Sequence, residues 1–101
     1  MARFVNGSSL SVLVASGSAL LLNANNQRHS VALVNSGLVD VWVTKGLVAV
    51  VGSGILLKAD GGTYTDDRNL AEETIYTGSY AAITVSGTAN VGIQEDYYDL
   101  Y

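Results

Sequence analysis

Short runs of β-branched and aliphatic residues, cut by glycine, serine and asparagine about every ten residues, limit this chain to one kind of fold. Val39, Val41 and Val43 alternate with Asp40, Trp42 and Thr44, the period of two that puts one set of side chains on a core and the other on the opposite face. Ile83 and Val85, then Val91 and Ile93, repeat the pattern across Ser86-Gly87-Thr88. Valine, isoleucine, threonine and tyrosine fit a pleated, half-buried surface. Proline is absent, so the turns fall to Gly, Asn, Asp and Ser.

These signals place strands at Leu10 to Ala15, Ala19 to Asn23, Arg28 to Val34, Val39 to Thr44, Leu47 to Val51, Ile55 to Ala59, Thr74 to Thr77, Tyr80 to Ser86 and Ala89 to Glu95. Asn23 to Gln27 reads as a polar loop, and Asp60-Gly61-Gly62 as a tight turn using positive φ. The acidic stretch that follows, to Glu73, is where a helical turn is expected. The expected fold is all-β: a single-domain β-sandwich or jelly-roll-like barrel of about seven to nine short strands. It spans residues 1–101, with a short N-terminal arm (1–9) and a C-terminal tail (96–101).

Composition narrows function. Hydrophobic residues make up 49% of the chain and charged residues 14%, against about a quarter in ordinary soluble domains. A small chain with so little charge is expected to hide part of its surface in an assembly. The net charge is −4, and Arg3, Arg28, Lys45, Lys58 and Arg68 are scattered, so neither nucleic acid nor an anionic membrane is an expected partner. No apolar run approaches a membrane span and no signal-peptide pattern opens the sequence, so a soluble protein made in a cytoplasm is expected.

Chemistry finds little to work with. His29 is the single histidine and no Gly-x-Ser-x-Gly elbow presents a serine, so no catalytic residue is assigned. The carboxylates Asp66-Asp67 and Glu72-Glu73 read as a solvated acidic loop rather than a glycosidase pair. With no cysteine and one histidine a zinc site is excluded in practice, and Asp60 with Asp66-Asp67 does not match a calcium loop. No metal or cofactor is expected.

What remains is contact. Trp42 lies opposite the three valines and belongs either to a two-sheet core or to a subunit interface. The only phenylalanine, Phe4, sits in the N-terminal segment, and Tyr97, Tyr98, Leu100 and Tyr101 enrich the acidic tail in the amphipathic residues that interfaces favour. These six are the candidate interface residues.

The segment Arg28-His-Ser-Val-Ala-Leu-Val-Asn-Ser-Gly-Leu-Val-Asp-Val-Trp-Val, then Gly54-Ile-Leu-Leu-Lys-Ala-Asp-Gly-Gly and Ala82-Ile-Thr-Val-Ser-Gly-Thr-Ala-Asn-Val, resembles small β-sandwich proteins of tailed-bacteriophage virions. The likeness covers about residues 28 to 95 and lies in turns and strands rather than in catalytic residues. It implies a structural protein of the capsid decoration (cement) or head-fibre type. Such a protein would bind the major capsid protein on the virion surface, clustered as a homotrimer. The alternatives are a tail, neck or fibre component, or a carbohydrate-binding module, which would need Trp42 or several tyrosines exposed on one flat face.

Overall fold

The computed structural model describes residues 3–67 and 75–100, with side chains from Asn6 to Asp67 and from Ile75 to Tyr98. Two four-stranded antiparallel sheets face each other. Sheet I has the order β1 (Arg3–Val14), β8 (Ala89–Leu100), β3 (Arg28–Asn35), β6 (Gly62–Asp67). Sheet II has the order β2 (Ala19–Leu22), β7 (Tyr80–Thr84), β4 (Val41–Lys45), β5 (Ile55–Leu57). The chain is therefore an all-β sandwich.

Alternation decides which side chains enter it. Val14, Val31, Leu33, Val91 and Ile93 point inward from sheet I, and Leu22, Val41, Val43, Leu57, Tyr80 and Ala82 from sheet II, forming one buried cluster. The outer face of sheet I is small and polar, with Ser9, Ser30, Thr65 and Gln94. The turn from β5 to β6 uses positive φ as expected, at Asp60 (63°) and Gly61 (108°).

Four segments depart from the sequence expectations. Leu47 to Val51 is not a strand but part of the loop joining β4 to β5. Residues 75–77 carry no strand, and Thr74 lies outside the described residues. The start of the acidic stretch is strand β6 rather than a helical turn, because Thr63 and Tyr64 continue the pairing with β3, while Glu72 and Glu73 lie outside the described residues. The two chain ends are not separate arm and tail. Residues 3–9 and 96–100 pair with each other in one unbroken ribbon, from Arg3 opposite Leu100 to Val14 opposite Ala89. That ribbon outruns β3, whose pairing with β8 stops at Tyr97, and it contributes to a body measuring 48 × 21 × 20 Å.

Candidate interaction surface

Trp42 does not enter the sandwich core. Its neighbours Val41 and Val43 are fully buried between the sheets, and alternation turns the half-buried Trp42 to the outer face of sheet II. It stands in a cross-strand row between Leu56 of β5 and Ile83 of β7. The next row is Thr44, Ala81 and Leu20, across β4, β7 and β2. An outer sheet face normally reads polar, as sheet I does. This one carries Leu20, Trp42, Leu56 and Ile83, with Leu20 and Leu56 exposed.

The β4–β5 loop extends the same surface. It leaves β4 after Lys45 and reaches the start of β2, where the Ala49 N–H donates to Ser18 Oγ at 2.8 Å. Ala49 and Ala81 are both buried yet stand outside the core cluster, which fits a flap laid over the outer face of sheet II. The Ser53 N–H donates to the Val50 carbonyl and turns the loop back. Gly54 then re-enters the sheet at φ 98°, where a Cβ would collide with the Val43 carbonyl oxygen. Leu47, Val48, Val50 and Val51 are left facing water. Together with Leu20 and Leu56 they make six of the ten exposed large apolar side chains among the described residues, gathered on the outer face of sheet II and the flap that crosses it. Concentrations of this kind mark contact surfaces.

The other expected interface residues gather elsewhere. Phe4 and Leu100 pair through their backbones in the terminal ribbon, opposite Asp99 and Arg3, while their side chains and Tyr101 lie outside the described residues. Tyr97 is half-buried opposite Arg28 and Asn6. Tyr98 is also half-buried, its N–H donating to the Gln27 carbonyl and its ring meeting His29 edge-on at 5.0 Å. The structure thus separates Trp42 from the terminal tyrosines, and sequence reasoning missed the flap.

The polar groups are committed to holding the fold. Arg28 is fully buried and pairs with Glu95 at 2.7 Å. Its guanidinium also donates to the carbonyls of Asn23, Tyr76 and Gly78, each at 2.9 Å. Asn35, also fully buried, donates to the carbonyls of Val39 and Leu57 and accepts from the Gly37 N–H. The Ala59 N–H lowers the Asp40 pKa, and burial raises that of Tyr80. The Tyr64 hydroxyl beside Lys45 raises the lysine pKa, and the ammonium also lies over the Tyr64 and Tyr76 rings.

Among the described residues, the groups considered for chemistry stand apart. His29 is half-buried in β3, with Nδ1 buried and unpaired and its ring against Tyr98. Asp60 sits in the turn before β6, whereas Asp67 ends that strand, so the strand's length separates them. Among the described residues no three His, Cys, Asp or Glu side chains come together to hold a metal ion. No helix among them is long and apolar enough to cross a membrane.

No protein-family model matches the chain, and no curated protein does. Among solved structures, the chain is similar to one from the disulfide-linked pili formed by Bacillus endospore appendages. The TM-score is 0.50 at 12% identity, covering 94% of this chain and 87% of that one. The similarity is one of fold.

Proposed function

We propose that this is a non-enzymatic structural protein that docks through the outer face of sheet II and its flap onto other protein subunits. In the setting the virion resemblance implies, it decorates and stabilises a tailed-phage capsid by binding the major capsid protein. The observation that carries the reading is the one-sided apolar surface of Leu20, Leu47, Val48, Val50, Val51 and Leu56 around Trp42. Covering each such side chain is worth on the order of 1 kcal/mol, so a handful suffices for a contact repeated many times over a shell. A cement works by linkage, because it binds the assembled lattice and not its dissociated parts.

A glycan-binding role fits less well. The row around Trp42 is leucine and isoleucine, without hydrogen-bonding groups to meet sugar hydroxyls, and Tyr64, Tyr76 and Tyr80 pack together between the sheets. A second assembly reading, as a filament subunit, draws on the fold shared with the Bacillus appendage chain. That chain comes from disulfide-linked pili, whereas this one has no cysteine and would polymerise without disulfides.

The test is co-sedimentation of the purified protein with capsids assembled from the major capsid protein of its own phage. Wild type is expected to pellet with the shells, and Val48→Asp/Val50→Asp to stay in the supernatant while keeping its β-sheet circular dichroism. Equal binding of both sinks the docking face. Absence of binding together with filaments under the electron microscope transfers the protein to the appendage reading.

A further inference from the structure

Three of the four sheet edges are guarded in ways proteins use to prevent edge-to-edge pairing. Strands β2 and β5 are only four and three residues long, and β6 ends in Asp66-Asp67. The fourth edge, β1, has none of these guards. From Gly7 to Leu13 it reads Gly-Ser-Ser-Leu-Ser-Val-Leu, without charge or proline. Its register with β8 is regular throughout, whereas β2–β7 and β3–β8 each carry an irregularity. No described strand pairs with its outer side. Leu10 shows the consequence. It shares the inward face with Val12 and Val14 and stands opposite the buried Ile93, yet it is 40% exposed because nothing flanks the edge.

We propose that this edge pairs with the same edge of a second copy of the chain, antiparallel about a two-fold axis through Leu10. The occupant follows from the strand itself. Centred on Leu10, the free span maps onto itself, with Gly7 opposite Leu13, Ser8 opposite Val12 and Ser9 opposite Ser11 of the second copy. Inward residues meet inward residues, as strand alternation requires. The two Leu10 side chains come side by side, closing the exposed apolar spot on each copy. An uncharged strand meets its own copy without repulsion, and the small Gly7 leaves room for Leu13. The result is one continuous eight-stranded sheet with an isologous interface. The contact uses none of the sheet II residues and stands independently of the capsid reading.

Light scattering over a concentration series of the full chain tests this. Wild type is expected to pass from monomer to dimer. Leu10→Lys and Leu10→Glu each set like charges opposite one another and should weaken the dimer about tenfold or more. An equimolar mixture of the two variants should recover it, since lysine then faces glutamate. Val48→Asp/Val50→Asp should dimerise as wild type does. Amide exchange on the unaltered protein gives a reading free of any folding defect in the variants: residues 7–13 should become protected as concentration rises, and β6 should not. A wild type still monomeric at about 1 mM, a dimer indifferent to both Leu10 variants, or a mixture that stays monomeric overturns the proposal.

Discussion

Arg28 opens its strand as any surface arginine might, yet no part of it reaches water. Three carbonyls and one carboxylate accept from its guanidinium, and they come from the β2–β3 loop, the segment before β7 and β8. Arg28→Ala would strand the Glu95 carboxylate and three carbonyls in the interior and should cost about 3–5 kcal/mol, read from the denaturant midpoint. Lysine should not rescue it, because a point charge lacks the planar fork of donors. Tyr80 is the opposite case. Its ring packs edge-on against Tyr76 at 5.3 Å, and its buried hydroxyl makes no hydrogen bond of good geometry, the Tyr64 side chain being its polar neighbour. Tyr80→Phe removes that unsatisfied group and should raise stability by about 1 kcal/mol in the same assay. Neither role was legible in the sequence. A charge is expected at the surface, and the ion-pair partner of Arg28 lies 67 residues away, joined to it only by the pairing of β3 with β8.

At the level of elements, alternation made strands legible but not always the buried face. Ile83 and Val85 alternate as Val91 and Ile93 do, yet Ile83 lies outward beside Trp42 and Val85 is exposed, while Tyr80, Ala82 and Thr84 are buried. Val41 and Val43 against Trp42, and Val91 and Ile93 across the hairpin from β7, declared both strands and buried faces. Leu47 to Val51 misled because an unbroken apolar run looks the same whether it is a buried strand or a flap on a greasy sheet face. The closing ribbon was missed for the converse reason. Asn6 to Ser9 and Asp96 are polar enough to read as loose ends, and only their pairing across β1 and β8 makes them strand. One consequence concerns the Ser18 hydroxyl, which anchors the flap through the Ala49 N–H. Ser18→Ala should leave global stability within about 1 kcal/mol of wild type, since one part-buried hydrogen bond is lost. It should, however, raise amide exchange in residues 47–51 by roughly fivefold, because flap opening is a local event. Exchange unchanged there would mean that burial of Ala49, not the hydroxyl, holds the flap. The ribbon also redefines Tyr97 and Tyr98 as strand residues, so deleting them tests the fold as well as any contact they make.

For the whole molecule, the two surfaces have a joint geometry. A two-fold axis through Leu10 that keeps inward faces together runs perpendicular to sheet I, so both copies carry sheet II on the same side. The apolar outer faces of the pair then point in one direction, as a bivalent attachment to a flat array of subunits requires. Linking two weak sites in this way raises the effective affinity by roughly 100-fold or more when the spacing suits the array. Threefold clustering, by contrast, has only the virion resemblance behind it. Leu10→Lys should therefore bind capsids with every flap intact but release from them about 100-fold faster than wild type, with single-site affinity unchanged. Val48→Asp/Val50→Asp should lose the single-site affinity itself. Surface-immobilised capsids, probed at dense and sparse loading, separate the two effects, because avidity falls with sparse loading and intrinsic affinity does not. If wild type and Leu10→Lys leave dense capsids at the same rate, the pair does not act bivalently there, and each copy holds the lattice alone through sheet II.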